Sequence, residues 1–194
     1  DHPLTVTYLV GGAGAQKETA NLILKSLAKK LKKKDLRLFL VAGTRREVYD
    51  YFVRKIKRLG LNHLIGRNIK IIYSENKFDY FSILNMQLRE TDIIWTKPSE
   101  MSFYTSLGLP VITTNPVGAH ESQNKAWLEH IGSGMKEEDP RYTSEWLTYW
   151  LNDGRLAEAA FEGFADAPTL GTYNIEDFVL KDIKSRIRDK RFIF

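Results

Sequence analysis

Two stretches of this 194-residue chain carry residue types able to act on an anion. The first, Gly11-Gly12-Ala13-Gly14-Ala15-Gln16, follows an apolar run and opens an amphipathic one. Glycines let the backbone approach an oxyanion, and free amides at a helix start, with the positive end of its dipole, stabilise negative charge. Its bland reading is a tight strand-to-helix turn used only for packing. A nucleotide-triphosphate loop would end in Gly-Lys-Ser/Thr, but Gln16-Lys17-Glu18 stand there. A dinucleotide fingerprint needs a third glycine and an acid closing the second strand. Lys17 takes the first place and Val41-Ala42-Gly43 the second.

The second stretch runs from Thr96 to Asn124. Lys97 ends a strand-like run at Pro98, Ser99 is placed to cap the next helix, and Glu100 complements its first turn. Gly108-Leu-Pro110 then starts another strand, and a loop leads to His120 and Glu121 at a further helix start. Each of these has a plain alternative: Lys97 as a snorkelling strand end, His120 as a surface histidine, Glu121 as a dipole-complementing acid. Ser102 and Ser106 lack the histidine and acid pattern of a nucleophilic hydrolase.

The elements that must position these residues alternate along the chain. Apolar runs at 4–10, 36–41, 69–73, 92–95 and 111–114 read as strands, and 15–33, 45–59, 77–90 and 99–107 as helices. Such alternation predicts an α/β fold: a Rossmann-like parallel sheet of five or six strands, helices on both faces. After Thr114 the strands are expected to stop. Helices are expected at 121–131, 143–151, 155–165 and 175–188, with Gly132 and Gly134 ending the first. The expected division is residues 1–135 as the sheet-bearing, Rossmann-like unit and 136–194 as a helical tail packed on it. Trp127, Trp146 and Trp150 fall at helical spacing and read as packing residues. Both polar stretches then lie at carboxyl ends of parallel strands, where open α/β sheets take ligands.

Composition excludes several alternatives. The absence of cysteine removes disulfides, thiolate nucleophiles and Cys-held zinc. Four histidines without HExxH spacing give no metal expectation. No apolar stretch approaches the roughly 18 residues of a membrane span. The net charge of +5 permits an anionic partner without requiring one. The lysine run at 29–34 reads first as a solvated helix end, second as a contact for anionic lipid headgroups. Nucleic acid is not an expected partner, because no aromatic residues interleave the run. Asp1 in place of methionine, directly before a strand, suggests a piece of a longer protein. No leader-type segment is visible, so a cytoplasmic location, with peripheral membrane contact, is the expectation.

The order of glycine turn, Lys-Pro-x-x plus helix, Gly-Leu-Pro plus strand, and Pro-x-Gly-x-(Gln/His)-Glu-x-x-Asn resembles one enzyme group. It is similar to the carboxy-terminal, donor-binding domain of glycosyltransferase-B (GT-B) fold enzymes. Among these it looks most like the lipid-linked N-acetylglucosaminyltransferases and the monogalactosyldiacylglycerol synthases. The resemblance covers about residues 4–134, and the stretch 97–124 is its most specific part. It implies that Gly11, Gly12, Ala13, Gly14 and Ala15 face a donor diphosphate and that Tyr73-Ser74-Glu75 lies near the base. His120, standing where the family has Gln, and Glu121 would approach the diphosphate or sugar; Asn124 falls on the family's Asn. The chain departs from the pattern at the ribose-binding acid, five residues before Gly108, where it has Phe103. Glu100, one turn earlier, is the acid present.

The resemblance implies a hexosyltransferase domain that binds a nucleotide-sugar, UDP-linked, as donor, with no separate cofactor and no metal. An amino-terminal acceptor domain would complete it and carry the general base, so the isolated chain is expected to bind donor weakly and to be inactive. A sugar-nucleotide epimerase or hydrolase, and a non-catalytic α/β binding module, are the alternatives.

Overall fold

Short runs of Val, Ile and Leu, too short for stable helices and buried on both sides, pair into one sheet. The strands are β1 (Leu4–Leu9), β2 (Leu36–Gly43), β3 (Ile69–Tyr73), β4 (Ile93–Thr96), β5 (Val111–Thr113) and β6 (Gly134–Lys136). Their order is β3-β2-β1-β4-β5-β6, with every neighbouring pair parallel. The computed structural model describes residues 2–11, 14, 16–99, 101–115 and 119–181, with backbone alone at 119, 120, 177 and 181. The chain reverses its direction of travel across the sheet between β1 and β4, and the crevice of such a fold opens there.

Alternation along the strands splits the core into two layers. Val6, Tyr8, Leu38, Leu40 and Trp95 face α1 (Lys17–Lys33) and α2 (Arg46–Arg58). Phe39, Val41 and Ile94 face α3 (Lys77–Leu88), α4 (Met101–Ser106) and α5 (Ala119–His130). Helix α1 buries Ala20, Ile23, Leu24, Leu27 and Leu31, a stripe at helical spacing that covers β1 and β2.

The sheet departs from expectation at its edge. The strands do not stop at Thr114: Gly134–Lys136 pairs parallel with Val111–Thr113. Gly132, at φ 72°, ends α5, but Gly134 already belongs to β6, packed so that a Cβ there would meet Leu128 at 2.5 Å. Three residues are too few for a periodic signal, and only pairing with β5 makes them a strand.

The later helices, α6 (Thr143–Asn152), α7 (Arg155–Asp166) and α8 (Gly171–Lys181), follow the sheet. Trp146 and Trp150 are buried, and the Trp146 ring stands 5.2 Å from Trp95, so α6 belongs to the α1 layer. Helix α7 packs on α4, where Gly163 leaves room for Ser133 and the Thr105 carbonyl. Helix α8 begins at Gly171, four residues before the expected start; residues 182–188 of the expected helix lie outside the described residues.

Candidate functional site

The register Tyr8↔Trp95 puts the ends of β1 and β4 side by side, so Gly11 and Lys97 emerge next to each other. The aliphatic stem of Lys97 lies across Gly11: a Cβ on that glycine would meet Lys97 Cδ at 2.5 Å and Nζ at 3.5 Å. Only glycine permits this crossing without moving the lysine. The Lys97 ammonium then pairs with Glu121 Oε1 in the first turn of α5. The Glu121 side chain is 4% exposed and that of Lys97 19%, so the pair is largely withdrawn from water. One turn on, Asn124 Nδ2 donates to the Pro98 and Ser99 carbonyls at 3.0 and 3.4 Å. Positions 121 and 124 share one helix face, and together they fix the loop between β4 and α4.

A second link joins the glycine turn to the loop after β5. Gly14 N–H donates to Gly11 O at 2.7 Å, with Gly14 at φ 72° and Gln16 at φ 69°. Tyr8 Oη donates to the Gln16 carbonyl at 2.9 Å, and burial pushes the Tyr8 phenol well above its ordinary range. The Gln16 side chain accepts from Thr114 Oγ1 at 3.0 Å and donates to Asn115 O at 3.5 Å. The glycine turn and the start of α5 therefore share one edge of the sheet, joined by Gly11–Lys97–Glu121 on one side and by Gln16 on the other.

Behind this edge, Glu137 follows β6 and accepts from Trp95 Nε1 at 2.9 Å. Burial raises its carboxyl above the ordinary glutamate range, and the Trp95 and Asn115 donors counter only part of that. Glu137 thereby ties Trp95 of β4 to Asn115, just after β5.

An open cavity of about 770 Å³ adjoins the glycine turn. Val10, Gly11, Thr44, Arg45, Glu75 and Lys77 line it from the ends of β1, β2 and β3 and the segments that follow them. The opposite wall is aromatic, with Tyr80 and Phe81 from α3 and Phe103 and Tyr104 from α4. Phe81 is 51% exposed and Phe103 48%, although both are rings.

The expected site residues divide accordingly. Gly11 and Ser99 line the cavity, and Lys97, Glu121 and Asn124 form the bracket beside it. Gly14 belongs to the same turn, but its N–H is used within the turn. Tyr73 and Ser74 face local partners instead: Tyr73 Oη donates to Glu75, and Ser74 Oγ accepts from Asn76 N–H. Only Glu75 of that loop reaches the cavity. Gly12, Ala13, Ala15 and Glu100 lie outside the described residues, as does the His120 side chain. Sequence reasoning missed Gln16, Arg45, Phe81 and Glu137. Of these only Arg45 carried a signal, as a cation just after a strand and before a helix.

The parallel sheet in this order, with its crevice at the β1/β4 switch, defines a Rossmann-like α/β domain. The chain belongs to the family described as Domain of unknown function (DUF6938), whose sequence pattern matches residues 1–68 and 62–176. No curated protein matches it by sequence. Among solved structures it is similar to MurG of Acinetobacter baumannii, at 21% identity and TM-score 0.64, over 93% of this chain and 50% of that one. The S. aureus MnaA–UDP co-structure is similar at 13% identity and TM-score 0.63, over 97% and 49%. Anabaena Alr3699/HepE in complex with UDP is similar at 15% identity and TM-score 0.53, over 86% and 44%. The chain thus spans about half the length of the structures it matches, and the likeness is one of fold.

Proposed function

We propose that this chain is a nucleotide-sugar-binding domain, the donor half of a glycosyltransferase that moves a sugar from UDP to an acceptor hydroxyl. The observation that carries the reading is the crossing of Lys97 over Gly11 at the β1/β4 switch. It sets a cation against the bare backbone of Gly11, which lines the cavity. A diphosphate beside Gly11 meets the Lys97 ammonium and the helix α1 dipole, and both favour charge gathering on a leaving diphosphate. The aromatic wall offers apolar faces to a nucleoside, and Arg45 and Lys77 add positive charge at the mouth. Two of the similar structures hold UDP, which supports that nucleotide as the first probe.

In this reading Glu121 orients Lys97 rather than touching the donor, and Asn124 holds the loop that delivers it. The acceptor site and the base that takes its proton belong to a second domain, matching the half of the similar structures that this chain does not span. No separate cofactor or metal enters the scheme. The test is calorimetric titration of the chain with UDP and UDP-N-acetylglucosamine. Saturable binding at up to millimolar ligand is expected; no heat from either ligand in that range contradicts the proposal.

A further inference from the structure

Charge is spread unevenly over this molecule. Residues 25–35 and 54–67 together hold eleven Lys and Arg and one acid, Asp35, whereas the rest of the chain has more acids than bases. The fold brings the two segments together. Helix α1 ends at Lys33 just before β2, and α2 ends at Arg58 with residues 59–67 leading into β3. The two helices pack side by side on one face of the sheet, so both ends lie at its amino edge, opposite the cavity.

Nine of these eleven side chains are exposed and the other two partly so. Among the described residues, no ion pair uses any of them. Elsewhere Arg37, Arg46, Lys70, Arg141 and Arg155 each stand against an acid. Lys34 caps α1 at φ 66°, a left-handed position that favours glycine, so a lysine stands there at a backbone cost.

We infer that this amino edge is a docking surface for an anionic lipid membrane. Clustered lysines on flexible stems suit a diffuse layer of lipid phosphates. Ile65, 38% exposed between Arg58 and Arg67 in sequence, supplies an apolar side chain at headgroup depth. The surface suits nucleic acid poorly. Neither segment contains Phe, Tyr or Trp to stack on a base. Docked this way, the chain turns its cavity away from the bilayer; the inference stands whatever the cavity binds.

Vesicle sedimentation of the full chain tests it, with phosphatidylcholine alone and phosphatidylcholine mixed with phosphatidylglycerol. Binding is expected only to the mixed vesicles, and high salt should abolish it. Lys34→Gly relaxes the backbone while removing one charge; it should raise thermal stability yet weaken vesicle binding about fivefold. Lys29→Glu/Lys33→Glu should abolish binding, whereas Lys136→Glu, at the opposite edge, should leave it unchanged. No preference for the mixed vesicles, an equal loss in Lys136→Glu, or tighter binding to a DNA or RNA duplex than to vesicles overturns the proposal. Inorganic phosphate that displaces the chain no better than chloride at equal ionic strength supports a lipid surface; selective displacement points to a free-phosphate site and overturns it.

Discussion

Lys97 and Glu121 form one unit: a lysine leaving β4 crosses Gly11 and ends on a carboxylate that α5 has almost removed from solvent. Each partner makes the other tolerable. A buried carboxylate without its cation is costly, and an unanchored lysine would sweep a wide volume instead of lying across Gly11. The pair can therefore be separated experimentally into a structural part and a binding part.

Lys97→Met should destabilise the chain by about 3 kcal/mol, because it leaves Glu121 buried without its partner. Lys97→Met/Glu121→Gln should recover most of that loss. UDP binding should be absent from both. Urea midpoints and calorimetry read the two effects apart; binding retained by the double variant would mean that Lys97 does not meet the ligand.

Gly11 is not in the left-handed region, so alanine fits its backbone. Its cost is the 2.5 Å approach to Lys97 Cδ, the middle of a flexible side chain. Gly11→Ala should therefore change stability by less than about 1 kcal/mol. It should weaken UDP about tenfold, close to 1.4 kcal/mol, by pushing Lys97 aside. Equal affinities in a titration of both proteins would contradict this.

Phe103→Ala separates nucleoside contact from phosphate contact. A ring stacked on an aromatic side chain contributes about 1–3 kcal/mol, so UDP should weaken by that amount. Pyrophosphate, which has no ring, should bind as before. Since Phe103 is 48% exposed, its loss should barely move the unfolding midpoint.

Glu90 carries a pH prediction. Burial alone would raise its carboxyl, but Lys70 at 3.4 Å and Arg37 at 2.7 Å outweigh this and hold it below the ordinary glutamate range. A folded-state pKa below the unfolded one adds stability that is present above the unfolded pKa and lost as pH falls through the folded value. Glu90 is 39% exposed, so screening limits the gain to about 1 kcal/mol or less. Glu90→Gln should cost that much at neutral pH and nothing in acid, read from thermal unfolding across pH.

Most of the sheet was legible because β1 to β5 are runs whose burial and length leave one choice. The strand β6 was not, since Gly134-Met-Lys136 becomes a strand only by lying beside Val111–Thr113. Within the site, spacing placed Gly11, Lys97, Glu121 and Asn124 at strand and helix ends, and the fold brought them together. Their partners could not be read: nothing local says that Lys97 spans Gly11 to reach Glu121, or that Gln16 bridges to Thr114 and Asn115. Phe103 was visible only as a missing acid; its role as cavity wall depends on how α4 faces α3.

The central claim is that the glycine turn, the Lys97 bracket and the aromatic-walled cavity form a single nucleotide site. Amide resonances followed during a UDP titration test it most directly. The account predicts that Gly11, Gln16, Lys97, Ser99 and Phe103 shift together along one saturation curve, while residues 29–34 stay still. Shifts confined to other surfaces, or different curves for the turn and the aromatic wall, would contradict it.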